Sequence, residues 1–296
     1  MLEAPRTAMR KSIALFAMLL AALPSTPAPA AFLLNLSTRV DIPPAALGAD
    51  VTSLIGGFII GGTKSRKILI RGLGPSLATF GLIPLADPTL ELHDASGALI
   101  ISNDNWMDTQ EDDVAATGLA PTNPLESAIV MTLEPGVYSA IVTGKKLDIG
   151  TAPSNGTALI ELYDLSPIIA EALDNISTRG AVHGTSDPMI AGFIVGNGSD
   201  VTVLIRGLGP SLADFGLVSL SNPRIDLFDG DGNLLASNDN WSDTQSSEIG
   251  ATGLAPENPL ESAMLINVPR GAYTVVLSPV DVKDRGTALV EVYKLD

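Results

Sequence analysis

Leu69-Ile70-Arg71-Gly72-Leu73-Gly74-Pro75-Ser76-Leu77 returns as Leu204-Ile205-Arg206-Gly207-Leu208-Gly209-Pro210-Ser211-Leu212, 135 residues further on. Working outward from that pair at the same offset, Asn103-Asp104-Asn105-Trp106 falls on Asn238-Asp239-Asn240-Trp241. Leu119-Ala120-Pro121 through Glu126-Ser127-Ala128 likewise falls on Leu254-Ala255-Pro256 through Glu261-Ser262-Ala263. About half of the positions from Phe58 to Gly144 are identical in the second copy. A period this long marks a duplicated domain rather than a solenoid unit of roughly 20 to 50 residues.

Within each copy, short apolar or alternating runs are broken by Gly, Pro, Asn and Asp at roughly 8 to 12 residue spacing, the signature of an all-β sandwich or barrel. Copy one reads as strands near Phe32 to Arg39, Thr52 to Ile60, Lys67 to Gly72, Leu90 to Asp94, Leu99 to Asn103, Ser127 to Leu133, Tyr138 to Thr143 and Thr157 to Leu165. The expected fold is therefore two tandem antiparallel β-sandwiches, jelly-roll-like, of about eight strands each. On the last strand Ala158, Ile160 and Leu162 share one face, with Glu161 and Tyr163 on the other. One short helix is expected from Thr109 to Thr117, with Asp108 placed to cap it and Glu111 three residues later.

The first thirty residues read as a secretory signal peptide: Arg6, Arg10 and Lys11, an apolar run from Ser12 to Leu23, then Ala28-Pro29-Ala30. That run is too short to span a bilayer, which takes about 20 residues. The expected division is 1-30 signal peptide, 31-167 first repeat and 168-296 second repeat, with a secreted, periplasmic or cell-surface location. Copy one carries five extra residues between Arg39 and Phe58 and five more between Gly144 and Gly156, so both stretches read as loops. The join Ser166 to Leu173 is short and mostly apolar, which predicts repeats packed against each other.

The chain has no cysteine, which removes disulfides, thiolate metal sites and thiol nucleophiles from consideration. Removing residues 1 to 30 takes three of the 17 basic residues and one of the 33 acidic ones. The remainder has 14 basic against 32 acidic, a net charge of −18. Clustered Lys and Arg, on which phosphate binding rests, are missing, so nucleic acid and insertion into membranes are not expected.

Asn103, Asp104, Asn105 and Asp108, matched by Asn238, Asp239, Asn240 and Asp243, place oxygen-bearing side chains within six residues of one another and could serve Ca²⁺, a cation that takes six to eight oxygens. The same residues also suit a turn leaving a strand, with Asp108 or Asp243 capping the helix. Trp106 and Trp241 stand beside that segment, either as sugar-stacking platforms or as plugs at the end of a sandwich. Arg71 with Glu126, and Arg206 with Glu261, are expected to form ion pairs tying a strand to the glycine corner. That corner lacks the Gly-Lys-Ser/Thr ending of a phosphate loop. Asp229-Gly230-Asp231-Gly232-Asn233 resembles the start of an EF-hand, but no Glu closes a 12-residue loop, so a hairpin turn is expected. His93 and His183, the only histidines, have no histidine partner in the other copy.

Asp87-Pro88-Thr89-Leu90-Glu91-Leu92, Asp94-Ala95-Ser96-Gly97, Ser102-Asn103-Asp104-Asn105 and Leu133-Glu134-Pro135-Gly136-Val137-Tyr138 together resemble the bacterial pre-peptidase C-terminal domain. Copy two repeats them as Asn222-Pro223, Asp229 to Gly232, Ser237 to Asn240 and Arg270-Gly271-Ala272-Tyr273. That resemblance implies a calcium-associated jelly roll appended to exported enzymes. The Arg-Gly-Leu-Gly-Pro-Ser-Leu and Leu-Ala-Pro-x-Asn-Pro-Leu-Glu-Ser-Ala segments depart from the pattern and look similar to a duplicated module of large exported bacterial proteins. The functional expectation is a non-catalytic module binding a surface, polysaccharide or protein, with Ca²⁺ as the one candidate cofactor. Two alternatives stay open: a purely structural module of an exported assembly, and a hydrolase using carboxylates such as Asp104, Asp108 and Glu126.

Overall fold

The computed structural model describes residues 33–42, 53–145, 155–166, 173–196 and 200–295. The stretch read as a signal peptide, most of the two insertions of copy one and most of the join between repeats lie outside them. Copy one contributes β1 (Leu33–Ile42), β2 (Ser53–Ile60), β3 (Arg66–Leu73), β4 (Pro88–Asp94), β5 (Leu99–Asn103), α1 (Glu111–Ala116), β6 (Ser127–Leu133), β7 (Gly136–Gly144) and β8 (Gly156–Asp164). Copy two contributes β9 (Leu173–Val182), β10 (Met189–Val195), β11 (Val201–Leu208), β12 (Pro223–Asp229), β13 (Leu234–Asn238), α2 (Ser246–Ala251), β14 (Ser262–Val268), β15 (Gly271–Pro279) and β16 (Gly286–Lys294). Among the described residues the fold is all-β, with antiparallel sheets of eight strands per copy, as the periodicity predicts.

Within copy one the pairings run β1-β8-β3-β6 and β2-β7-β4-β5, the two sheets of an eight-stranded jelly roll. Copy two repeats them as β9-β16-β11-β14 and β10-β15-β12-β13. The first strand of each copy also pairs with the second strand of the other. β1 aligns with β10 from Leu33↔Val195 to Arg39↔Ile190, and β9 aligns with β2 from Ile60↔Leu173 to Ile55↔Arg179. Both eight-stranded sheets therefore cross the repeat boundary, each half copy one and half copy two. Thr38 and Thr178, equivalent residues of β1 and β9, meet in the interior with their hydroxyl oxygens 2.8 Å apart.

Alternation decides which face goes inward. On β2 every second residue is buried, and Leu54, Phe58 and Ile60 enter a core cluster that continues without a break into Phe193, Val203, Leu227 and Val275 of copy two. Each such side chain contributes about 1.5–3 kcal/mol when taken from water. Phe58 stacks on its cross-strand neighbour Tyr138 at 5.5 Å between ring centroids, and Phe193 on Tyr273 at 5.1 Å.

The strand β8 is covered on both faces. Ala158, Ile160 and Leu162 join the main core. Tyr163 faces an outer cluster made by Leu69, Ala128, Val130 and Val114 of α1, with Trp106 and Leu119 packed against it. The same outer layer recurs in copy two around Leu204, Ile249, Ala263 and Trp241. This second layer takes Arg71 and Glu161, which point away from the main core, out of water.

Candidate functional site

The glycine corner explains itself through one contact. A side chain added at Gly74 would meet the carbonyl oxygen of Leu85 at 2.2 Å, and one at Gly209 would meet that of Leu220 at 2.3 Å. Only glycine admits that approach. The corner then turns its N–H groups inward. Gly74 N and Ser76 N donate to one oxygen of Glu126 at 3.0 and 2.9 Å, and the Ser76 hydroxyl donates to the same oxygen at 2.5 Å. Glu261 receives the same three bonds from Gly209 and Ser211. The chain's own buried glutamate thus fills the anion-binding concavity that the corner creates.

This overturns the expected ion pairs. Arg71 does not pair with Glu126, nor Arg206 with Glu261. Register places Arg71 opposite Glu161 on β8 and Arg206 opposite Glu291 on β16, and those are the partners. Arg71 Nε donates to Glu161 at 2.9 Å and Nη2 donates to the same carboxylate, while Nη1 reaches the Leu119 carbonyl at 2.6 Å. Arg206 repeats this with Glu291 and the Leu254 carbonyl. Each guanidinium also lies over a tyrosine ring, Tyr163 at 5.2 Å and Tyr293 at 5.1 Å. Burial, with the neighbouring glutamate, pushes the Tyr293 phenol up to about 12 and the Tyr163 phenol higher still. Glu126 precedes its strand and so lies outside that register, although its charge still reaches Arg71.

The Asn/Asp segments do two jobs at once. The Asn103 side-chain oxygen accepts from Ala128 N at 2.9 Å and its amide donates to the Asn105 carbonyl at 3.0 Å; Asn238 makes the same bonds to Ala263 and Asn240 at 2.9 and 3.0 Å. Those oxygens are taken, so Asn103 and Asn238 are not free calcium ligands. Nor do Asp108 and Asp243 cap the helices: the residues at the caps are Gln110 and Gln245, and each aspartate instead accepts from Asn105 or Asn240. Gln110 spends its amide on both backbone groups of Val130, at 2.8 and 3.1 Å, and Gln245 does so on Leu265. These glutamines stand in for the missing neighbour of edge strands β6 and β14. Trp106 and Trp241 are half-buried in the outer clusters, their indole nitrogens buried without a hydrogen-bond partner. They sit as plugs in this arrangement.

What remains unpaired is informative. In copy one the buried oxygens Asp87 Oδ1, Asp104 Oδ1 and Asn105 Oδ1 have no donor, and in copy two neither have Asn222 Oδ1 and Asn240 Oδ1. Lys145 supplies copy one with a cation: its ammonium bonds Asp104 Oδ2 and lies 3.8 Å from Asp87 Oδ2. Burial raises the Asp87 carboxyl above the usual carboxylate range even so, with Asp104 adding to the effect.

A separate charged node lies where the repeats meet. Asp41 at the end of β1 and His183 and Asp187 from the β9–β10 turn bring one ligand atom each within 4.8 Å of the others. His183 Nδ1 lies 3.1 Å from Asp187 Oδ2. That hydrogen bond lifts the imidazole above its ordinary pKa, burial opposing it. Asp187 also interacts electrostatically with Arg39, and His183 with Arg285, which opposes its protonation. Sequence comparison between copies hides this node, because it needs one residue from copy one and two from copy two.

The EF-hand-like segment is a hairpin turn: Asp229 Oδ1 accepts from Asp231 N and Asn233 N, and Gly232 takes φ 82°. His93 bonds Glu91 on its own strand.

No family model matches the chain, and no curated protein matches it. Among solved structures, the STIV MCP is similar at TM-score 0.24 and 11% identity, covering 92% of this chain and 89% of that one. The plant peptide RALF23 in complex with FER and LLG2 gives TM-score 0.20 and 10% identity over 83% and 81%. The ANXUR1 extracellular domain from Arabidopsis thaliana gives 0.20 and 11% over 83% and 82%. Likenesses this faint carry no argument about function.

Proposed function

We propose that the chain is an exported, non-catalytic binding module that recognises a polysaccharide or protein surface through the loops that follow its two glycine corners. The observation that carries this reading is a repeated one. Ile83 is 81% exposed, and its equivalent Val218 is 66% exposed with Phe215 beside it at 80%. In copy two the loop from Phe215 to Asn222 adjoins the loop that carries Val282, itself 62% exposed, through Ser221 N to Asp284, and meets the start of β16 through Thr287 N to the Val218 carbonyl. Phe80, the equivalent of Phe215, is half-buried against Leu73, Leu77 and Leu159, so the exposed position is repeated while the wider cluster is copy two's. Isolated exposed apolar residues are ordinary, whereas a contiguous exposed patch marks a contact surface. The resemblance to the pre-peptidase C-terminal domain belongs with this reading. No helix among the described residues is long and apolar enough to cross a membrane.

The hydrolase alternative asks Glu126 to meet a substrate, yet this residue is fully buried and one of its oxygens already accepts three hydrogen bonds. A structural module draws support from the outer strands β5 and β13, which expose Leu99, Ile100, Leu234 and Leu235 beside an unpaired edge. A glycan and matrix-protein array separates the two. Retention on one class, lost in Ile83→Asp/Val218→Asp with an unchanged Tm, supports recognition; no retention anywhere, with self-association in solution, supports the structural role.

A further inference from the structure

We propose that Asp41, His183 and Asp187 together hold one divalent ion of the zinc class, which ties the end of copy one's first strand to the first turn of copy two. Each of the three brings a donor atom within 4.8 Å of the others. Asp41 is next to last on β1, and His183 to Asp187 lie in the turn between β9 and β10. Strand pairing makes them meet: β1 runs antiparallel to β10 as far as Arg39↔Ile190, so its last residues reach the turn from which β10 starts. That turn is fixed by its own backbone. His183 N donates to the Asp187 carbonyl and Asp187 N to the Gly184 carbonyl, both at 3.3 Å. Gly184 takes φ 89°, and a side chain there would meet the Val282 carbonyl oxygen at 2.8 Å, so the position requires glycine. Since Thr38 and Thr178 are equivalent, the counterpart of Asp41 is Ala181, which has no donor to offer. The site therefore occurs once per chain.

The donor set decides the ion. One imidazole nitrogen with two carboxylate oxygens suits zinc and its transition-metal neighbours, whereas calcium takes six to eight oxygens. Zinc holds such donors at about 2.0–2.2 Å, which places them roughly 3.5 Å from one another. All three side chains are partly buried, and movements of about an ångström close them on an ion of that size. A fourth position is left for water, as in an open zinc site. The charges here converge in a way that a dication balances. Burial and then the like charge of Asp187 raise the Asp41 carboxyl above its usual range, and His183 offsets them. His183 Nδ1 lies 3.1 Å from Asp187 Oδ2. An imidazolium can balance only one of the two carboxylates; a divalent ion balances both. Asp187 also feels the charge of Arg39, and His183 that of Arg285. Both cations repel an incoming metal, so the site is weaker than a closed four-ligand centre. It is independent of the exposed loop residues: the ion would bind whether or not any glycan or protein does.

Zinc titrated calorimetrically into the untagged, chelator-treated full chain should show one ion per chain, and excess calcium should not displace it. His183→Gln and Asp41→Asn should each weaken zinc binding by about tenfold or more, with Asp187→Asn as a third loss variant should either fail to fold. His93→Gln removes the other histidine of the chain and should bind zinc as the wild type does. Because the ion joins the two copies, zinc should raise the Tm of the wild type and of His93→Gln, and leave that of Asp41→Asn where it is. The proposal is overturned if the wild-type chain takes up no zinc, or if His183→Gln keeps wild-type affinity, which would make the uptake adventitious. It is equally overturned if Asp41→Asn keeps both the affinity and the gain in Tm, since the ion would then not bridge the copies.

Discussion

Copy one and copy two share the corner, the buried glutamate, the arginine sandwich and the asparagine anchor, with hydrogen-bond lengths that mostly agree to a tenth or two of an ångström. They differ where copy one invests in charge. Arg66, buried on β3, donates to Asp164 of β8 from Nε at 2.8 Å and from Nη2 at 2.5 Å; copy two has Val201 and Lys294 in those places. Asp87 and Lys145 give way to Asn222 and Val280. In each case both partners change together. Removing one member of a buried pair strands the other, while replacing both is nearly free. Copy two does without either pair, and of the two only Arg66–Asp164 is buried on both sides, so that is the pair in which losing one member strands the other.

The sharpest way to break that comparison is Arg66→Val, which imitates copy two on one side only. Asp164 would be left at 1% side-chain exposure without its cation, at a cost of about 3–5 kcal/mol. Denaturant unfolding should show that loss, and a change under about 1 kcal/mol would mean that the pair is dispensable singly. Asn103→Ala comes next, because it strips Ala128 N of its acceptor in a buried place; we expect about 1–3 kcal/mol. Asn238→Ala should match it closely, since the two anchors are alike. Lys145→Val should be mild, because its ammonium is 42% exposed and screened by water. Asp87→Asn added to it should recover the loss, and a double-mutant cycle reads the coupling.

The smallest effect concerns pH. His183 has a raised folded pKa, so its contribution is full below its unfolded value of about 6.5 and fades as pH rises through the folded value. Stability should therefore fall modestly on going from about pH 6 to 8. Asp41, also raised by burial and by Asp187, works in the same direction at lower pH. His183→Gln should flatten the neutral part of the profile, and a Tm against pH curve unchanged by that substitution would remove the histidine from the account.

Much of the architecture is legible in the chain because its causes are local. Period-two runs, glycine corners and an exact offset mark eight strands in each copy, and the short helix appears within two residues of its expected bounds. The site is less legible because partner choice is not local. Arg71 faces Glu161 through a register between strands ninety residues apart. The clue lay in the last strand, where Glu161 and Tyr163 share a face that the aliphatic core does not use, as do Glu291 and Tyr293. Gln110 and Gln245 were invisible as edge covers, since nothing nearby in sequence reveals that β6 and β14 lack an outer neighbour. The exchange of first strands was equally hidden, because a duplicated sequence reads the same whether its copies sit side by side or interlock.

That exchange changes what the duplication means. Thr38 touching Thr178, with β1 and β9 each giving an edge to the opposite copy, is the arrangement of a twofold homodimer whose subunits have been joined end to end. A single copy cut free would carry two unfinished edges, on β1 and on β2, and would complete them only by meeting another copy, at a rate set by concentration. Fusion makes that encounter intramolecular, so the protein keeps its shape when dilute.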